Sequence, residues 1–386
     1  MRQQLQDAID ARNETLDRLR TEEVVRRRLN ATILELRGNI RVFVREVEPA
    51  KVDYPDQGEL DGGKEMAVHA PTTLSATGKE RNEKHSYGFD RVFGPDATNM
   101  QVFEDCRELI QSVVDGYNVS ILSYGQTGSG KTFGMSGPKG IIPCAIAMLL
   151  TEMQRLQEKG WEYRVEASFV EVYNETLNDL LGDAKTWDDN EDLTASVRPG
   201  GKRKEKHEIH HDSVTGKTTQ AVQNVLDTAA KNRRVAATKA NERSSRSHSV
   251  FILTLRGSCS ATGESSEGVL NLVDLAGSER LKQSGAEGDR KKETQAINKS
   301  LSSLGDVIAA LGSRKGDEGQ SHIPYRNSKL TYLLQSSLGG TIAGKSSRTL
   351  MLLHLSPLQA HWQESRSSLL FGSKVHGTHI GTAKRK

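Results

Sequence analysis

Two hydrophobic periods follow one another along this chain, and the change falls near residue 39. Residues 1 to 38 contain no proline and no glycine before Gly38 and are rich in Arg, Glu, Leu and Gln, so they are predicted to form one helix. Leu5, Ile9, Leu16 and Leu19 fit a heptad seam, as do Leu29, Ile33 and Leu36, but the two runs are out of register. That slip leaves two alternatives, an imperfect coiled coil or a single solvated helix packed on the neighbouring domain. An opening in mid-heptad also has the look of a cut from a longer rod. From Asn39 onward strands and helices alternate. Runs of strand length are Ile40 to Val44, Val119 to Tyr124, Val165 to Tyr173, Val250 to Leu255, Val269 to Leu275 and Leu350 to Leu355. Several are nearly continuous in apolar residues, as strands covered on both faces are. Helical stretches lie between them, at Ala145 to Leu156, Val222 to Ala240 and Lys291 to Leu311. The order predicts an α/β layer fold. Residues 183 to 206, 256 to 267 and 312 to 322 read as loops, and no internal repeat is evident.

Composition narrows the class. With 386 residues, the chain has room for one large domain and an appendage or for two ordinary domains. The 35% hydrophobic and 27% charged residues suit a soluble globular protein, and no apolar run is read as approaching the roughly 20 residues that span a bilayer. The charged N-terminus lacks the apolar core of a secretory signal. Cys106, Cys144 and Cys259 are odd in number and far apart, as reduced thiols of a cytosolic or nuclear protein are, so neither a disulfide nor zinc is expected. A formal net charge of +3 is too small to announce a polyanionic partner, which would have to meet a local patch.

The strongest local signal is Gly125, Gln126, Thr127, Gly128, Ser129, Gly130, Lys131 and Thr132, which satisfies the GxxxxGK[ST] pattern directly after a strand. Glycines let backbone N–H groups approach phosphate oxygens, Lys131 bridges the β- and γ-phosphates, and Thr132 supplies a hydroxyl to Mg²⁺. Alone, this loop indicates only a nucleoside triphosphate. Phosphoryl transfer also needs a second metal anchor and a γ-phosphate sensor. Asp274-Leu-Ala-Gly277-Ser-Glu279-Arg280, after the strand Val269 to Val273, offers an acid at a strand end and a bare N–H at Gly277. Asn241-Glu-Arg-Ser244-Ser245-Arg246-Ser247-His248 concentrates hydroxyls and a guanidinium ahead of Val250 to Leu255.

Taken in order, GQTGSGKT, NERSSRSH and DLAGSER resemble the nucleotide loop, switch I and switch II of kinesins. The likeness extends to YGFDRVF, VEVYNETLNDLL, INKSLSSLG and HIPYRNSKLTYLLQSSLGG, and so covers Asn39 to Lys374. It implies a kinesin-type motor domain over 39–374, preceded by a neck helix over 1–38 and followed by a short polar, basic tail over 375–386. The implied fold is a central sheet with helices on both faces. The implied activity is ATP hydrolysis stimulated by microtubules. By resemblance, Thr132 and Ser245 hold Mg²⁺ and Asp274 reaches it through water. Ser244 and the Gly277 N–H sense the γ-phosphate, and Asn241 contacts phosphate. Arg246 and Glu279 form the ion pair that closes the switches over ATP, and Glu279 takes the proton of the attacking water. The family's R-x-R-P adenine segment corresponds here to Arg45-Glu-Val-Glu-Pro49, one residue longer and lacking the second arginine, and Phe133 matches the aromatic that faces the proline.

On the helix Lys291 to Leu311, Ile297, Leu301, Leu304, Ile308 and Leu311 form one apolar stripe, with Lys292 and Lys299 on the opposite side. Composition alone makes these lysines a solvated face. The resemblance implies instead a tubulin-binding face comprising Lys291, Lys292, Lys299, Arg326 and Lys329, extended by Arg280 and Lys282. No neck linker and rod follow the last helix (Trp362 to Lys374), and Gly38-Asn39 matches the junction of kinesins whose motor is C-terminal. Minus-end-directed motion, a coiled-coil dimer of like or unlike chains, and a place in the cytoplasm, cytoskeleton and spindle are implied. The span from His210 to Asn241 is shorter than usual for the family. A microtubule-binding domain without turnover and a nucleic-acid-dependent ATPase are the alternatives, separated by ATP turnover with tubulin polymer or with DNA or RNA.

Overall fold

The computed structural model describes residues 2–46, 52–55, 63–71, 73–74, 80–81, 83–181, 207–209, 243–279, 289–312, 322–338, 347–356 and 358–378. The predicted helix Val222 to Ala240, the predicted loop at 183–206 and residues 313–321 of the predicted loop at 312–322 lie outside these residues.

In chain order the elements are α1 (Arg2–Leu36), β1 (Ile40–Glu46), β2 (Val52–Asp53), β3 (Glu65–His69), β4 (Thr73–Leu74), β5 (Glu80–Arg81), β6 (Lys84–Gly88), β7 (Arg91–Phe93), α2 (Asn99–Val114), β8 (Asn118–Gly125), α3 (Lys131–Ser136), α4 (Ile141–Gln157), β9 (Trp161–Tyr173), β10 (Thr176–Asp179), β11 (His207–Ile209), α5 (Arg243–Arg246), β12 (His248–Cys259), β13 (Glu264–Asp274), α6 (Asp289–Gly312), α7 (Lys329–Leu333), β14 (Ser347–Leu355) and α8 (Trp362–His376). The central sheet has the order β10-β9-β12-β13-β8-β14-β1-β7, with β11 added to β9. From β13 to β7 neighbouring strands run parallel. Strands β9, β12 and β13 pair antiparallel.

Every residue of β14 is buried, as a strand sandwiched between helical layers requires. One layer packs Phe103, Ile110, Leu149 and Met153 of α2 and α4 against Ile121, Phe251 and Leu272 of the sheet. The other packs Leu304 and Ile308 of α6, Leu330 of α7 and Leu369 of α8 against Leu122, Val273 and Met351. Alternation along each strand sends neighbouring residues to opposite layers. Helix α2, which no apolar run announces, starts with a capping box between Thr98 and Gln101.

Two expectations need correction. Residues 256–267 are mostly strand: the β12–β13 ladder continues through Arg256↔Glu267 to Cys259↔Glu264, leaving only a tight turn. Small residues are required here, since a Cβ on Gly257 would meet the Tyr163 ring at 2.5 Å. Second, the stretch Lys131–Gln157 is long and apolar enough by length and composition to cross a membrane. It is two helices separated at Gly137 and Gly140, and Ile141, Ala145, Leu149, Met153 and Leu156 are spent on the core.

Helix α1 rests on the layer of α2 and α4. Leu34 is fully buried, and Glu23, 4% exposed, accepts hydrogen bonds from Arg26 (2.7 Å), Arg155 (3.1 Å) and Lys159 (3.0 Å). Arg26 also reaches Asp115 at 2.5 Å, and the Arg27 guanidinium lies 4.3 Å from the Trp161 ring centre. Leu5, Ile9, Leu19, Leu29, Ile33 and Leu36 are exposed.

Candidate nucleotide site and basic face

Strand β8 delivers the chain to its C-terminal edge and the phosphate loop turns back over it. Gly125, Gly128 and Gly130 have φ of 152°, 80° and 93°, a region that disfavours side chains. At Gly125 space is decisive as well, because a Cβ would stand 2.2 Å from the His354 carbonyl. Ser129 Oγ donates to the Gln126 carbonyl (2.8 Å). Lys131 is buried and its ammonium donates to the carbonyls of Gly125 (2.9 Å) and Gln126 (2.8 Å), so the cation sits inside the curl of the loop.

Parallel pairing of β13 with β8 sets Asp274 beside Ser123, one turn of chain from the loop. Thr132 Oγ1 donates to Asp274 Oδ2 at 2.6 Å. Ser245, on the short α5, accepts from the Gly277 N–H through its carbonyl at 2.9 Å, which ties the two switch segments together. The Thr132 hydroxyl on the Asp274 carboxylate offers oxygen donors of the kind Mg²⁺ takes when phosphates and water complete its shell, and Ser245 is tied to the adjoining segment through its carbonyl. Ser278 N–H donates to the Gly125 carbonyl at 3.0 Å.

Glu279 and Arg246 are not joined to each other in this arrangement. The Glu279 carboxylate accepts from the Thr127 N–H (2.8 Å) and from its hydroxyl, folded over Gly277. Arg246 pairs with Glu293 of α6 at 3.0 Å, and the Tyr173 hydroxyl donates to the same carboxylate. His248 extends this connection: its Nδ1 accepts from the Ala276 N–H (3.0 Å), which leaves Nε2 protonated to donate to Ser300 Oγ (2.8 Å) on α6. Asn241 and Arg280 lie outside the described residues, and Ser244 is described in its backbone alone.

Pro49 also lies outside the described residues. Arg45 is buried, its guanidinium turned to the Asn99 side chain and the Ala97 carbonyl (3.1 Å) rather than outward to a base. Asn99 in turn donates to the carbonyls of Phe133 (3.2 Å) and Pro138 (2.9 Å), so Arg45 braces the helix behind the phosphate loop. The Phe133 ring is 54% exposed. Beneath the loop, burial, then the charges of Arg45 and Lys131, push the His354 imidazole down to about 3. An unfolded chain would protonate it near 6.5. The native state therefore binds fewer protons below that value, and acid destabilises it between pH 6.5 and about 3. His354→Gln is expected to remove up to about 1.4 kcal/mol per pH unit of this slope, read from chemical unfolding at pH 7 and pH 5. Equal slopes for the two proteins would refute the assignment.

The basic face is built on α6. Leu301, Leu304, Ile308 and Leu311 are buried, and Lys291, Lys292 and Lys299 are exposed. Arg326, in a single helical turn at Tyr325–Asn327, is exposed, and Lys329 opens α7 beside it. Glu175, at the β9–β10 turn, stands between them: it lies 3.6 Å from the Lys299 ammonium and accepts from the Lys329 N–H at 3.2 Å. Lys282 lies outside the described residues.

Compared with known proteins, residues 47–378 match the model of the kinesin motor domain. The chain belongs to the kinesin motor-domain family. Kinesin-like protein klpA of Emericella nidulans is 52% identical over 100% of this chain and 50% of that protein. Kinesin-like protein KAR3 of Saccharomyces cerevisiae is 44% identical over 94% of this chain and 50% of that protein. The chain thus spans about half the length of these curated relatives. Among solved structures, the C-terminal motor and motor homology domain of Kar3Vik1 fused to a synthetic heterodimeric coiled coil superposes with a TM-score of 0.79 at 42% identity, covering 97% of this chain and 94% of that one.

In this kinesin motor domain, Tyr173, Glu293 and Ser300 were not singled out by their sequence. A lone acid within the cationic stretch Arg290 to Lys299 was the available signal for Glu293. Its position makes it the residue of α6 that holds Arg246. Glu293→Ala removes that competitor for Arg246, and ATP turnover without tubulin is expected to rise several-fold; unchanged or lower basal turnover would argue against the competition.

Proposed function

We propose that this chain is a microtubule-stimulated ATPase that moves toward microtubule minus ends. The observation that carries the reading is the meeting of Lys131, Thr132, Asp274, Ser245, Gly277 and Glu279 at one sheet edge, with Arg246 joined to the helix that bears the basic face. Lys131 and the loop N–H groups take the phosphates; Thr132 and Ser245, with Asp274 behind them, would hold Mg²⁺, which would supply charge neutralisation to the phosphates. Glu279 leaves Thr127 to meet Arg246 and receives the proton of the attacking water. Ser244, Gly277 and Asn241 answer to the γ-phosphate, and Phe133, with Arg45 and Pro49, lies on the adenine side. When Arg246 changes partner from Glu293 to Glu279, α6 is released or gripped, and Lys291, Lys292, Lys299, Arg326 and Lys329, with Arg280 and Lys282, report this to acidic tubulin. Binding of that kind weakens as salt rises.

The organisation we favour is a neck helix over 1–38, a motor over 39–374 and a basic tail over 375–386, the neck pairing with a like or unlike chain through its exposed apolar positions. Relatives with the motor at the C-terminus support minus-end direction and a place on the cytoskeleton, including the spindle. The test is ATP turnover with and without polymerised tubulin, followed by gliding on polarity-marked filaments. Strong stimulation and minus-end gliding are expected. Binding without turnover, stimulation by DNA or RNA, or plus-end gliding would each overturn the corresponding part.

A further inference from the structure

His248, the first residue of β12, touches both the segment that bears Gly277 and Glu279 and the helix of the basic face. It is 2% exposed, and Ser300 on α6 is 1% exposed. A backbone N–H can only donate, so the 3.0 Å contact with the Ala276 N–H makes Nδ1 an acceptor and leaves the ring proton on Nε2. Nε2 donates to Ser300 Oγ at 2.8 Å, and the Ser300 hydroxyl donates in turn to the Ile297 carbonyl at 2.8 Å. Each donor in this chain meets an acceptor. The hydrogen bonds run in one direction, from Ala276 through the imidazole into α6.

Both ends of the chain lie next to groups of the site. Ala276 precedes Gly277, whose N–H donates to the Ser245 carbonyl at 2.9 Å, and it stands two residues after Asp274, which accepts from Thr132. Ser300 is seven residues beyond Glu293, two turns along the same face of α6. Helix α6 is thus held to the nucleotide side at two points, by Arg246 on Glu293 and by His248 on Ser300. The two ties differ in kind. Arg246 and Glu293 form a partly exposed ion pair, which the proposed function exchanges for another. The imidazole link is closed to water, so a hydrogen bond lost there is not replaced by one to solvent.

We propose that His248 is the positioning residue through which movement of α6 reaches Gly277 and Glu279: Ser300 sets the rotation of the imidazole, and the imidazole sets the Ala276 N–H. This inference rests on the proposed function. Nδ1 and Nε2 belong to one rigid ring, so the ring cannot follow a shift of Ser300 without altering its bond to Ala276. The link is a direct contact of side chains and backbone, independent of the chain through residues 280–288. His248 makes no claim on the nucleotide itself and acts only through the placement of residues 276–279.

The test compares Ser300→Ala, Ser300→Thr and His248→Asn with the unaltered chain in two measurements. The first is ATP turnover against the concentration of tubulin polymer. Ser300→Ala should lower the stimulated kcat about tenfold while half-saturation by polymer stays within about twofold, because the lysines of the basic face are untouched. Ser300→Thr keeps the hydroxyl and should return kcat to within about twofold of the unaltered value. In His248→Asn, Oδ1 can replace Nδ1 but the side chain is too short for Ser300, so it should behave as Ser300→Ala does. The second measurement is hydrogen exchange of residues 274–279 in the ADP-bound chain without polymer. Ser300→Ala should exchange about tenfold faster there, although the hydroxyl it removes belongs to α6. An unaltered chain that polymer does not stimulate would refute the proposed function, and the exchange measurement would still decide the positioning role. Undiminished stimulated kcat in a folded Ser300→Ala protein, a loss that Ser300→Thr does not reverse, or unchanged exchange at 274–279 would overturn the inference. If Ser300→Ala does not fold, full stimulation in His248→Asn overturns it as well.

Discussion

Glu279→Ala is expected to lower kcat by about 10²–10⁴-fold, the usual contribution of a positioned proton acceptor, while ATP still binds within a few-fold of the unaltered protein. The reasoning starts from where the carboxylate lies. It is anchored on Thr127 of the phosphate loop and folded across Gly277, outside the cradle formed by Lys131 and the glycines. In the proposed function, removing it deletes the proton acceptor and the partner that Arg246 would take, but it leaves the phosphate-loop groups in place. Single-turnover hydrolysis and equilibrium nucleotide binding, measured on one preparation, separate the two effects. A raised KM with an intact kcat would show that Glu279 serves binding alone.

The second large effect concerns α1. Glu23 receives three cationic donors in a buried site, and deleting one partner of such a cluster costs about 3–5 kcal/mol because the remaining charges lose their counter-ion. Glu23→Ala should therefore release α1 from the motor well before the sheet unfolds. Burial by itself would raise the Glu23 carboxyl, but hydrogen bonds and charge from Arg26, with Lys159 and Arg155, outweigh it and bring the group down to about 2. Because this native value is depressed, the stabilisation is complete above the ordinary carboxylate value of 4.5 and is lost as pH falls from there toward 2. Hydrogen exchange of residues 20–36 at neutral pH is the readout. Leu34→Ala, which deletes a fully buried side chain for about 2–5 kcal/mol, should loosen the same helix without the acid dependence. Unaltered exchange in Glu23→Ala would mean that the apolar contacts alone hold the neck.

Much of this architecture was legible before any coordinates. The six apolar runs all became strands of the central sheet, since continuous β-branched and aliphatic stretches bounded by glycine and polar residues permit little else. The stripe on α6 correctly gave its buried face, and so the exposure of Lys292 and Lys299. Residues 256–267 were misread because Gly and Ser signal turns locally, whereas here they are the small residues that the Tyr163 ring demands of a long hairpin. The site was legible where chemistry follows chain order, as in the phosphate loop. It was not legible where partners are distant in sequence: nothing near Arg246 announces Glu293, forty-seven positions away, and nothing near Thr127 announces Glu279. Such pairings are products of the fold.

Arg37, Gly38, with φ of +87°, and Asn39 are all that separates α1 from β1, a strand inside the sheet between β14 and β7. At 1.5 Å per residue, the 35 residues of α1 make a rod of about 52 Å. Turning such a rod through about 10° at a three-residue pivot carries its tip roughly 9 Å. The joint's leverage comes from geometry: a change of backbone angle too small to disturb the sheet becomes nanometre travel at the far end.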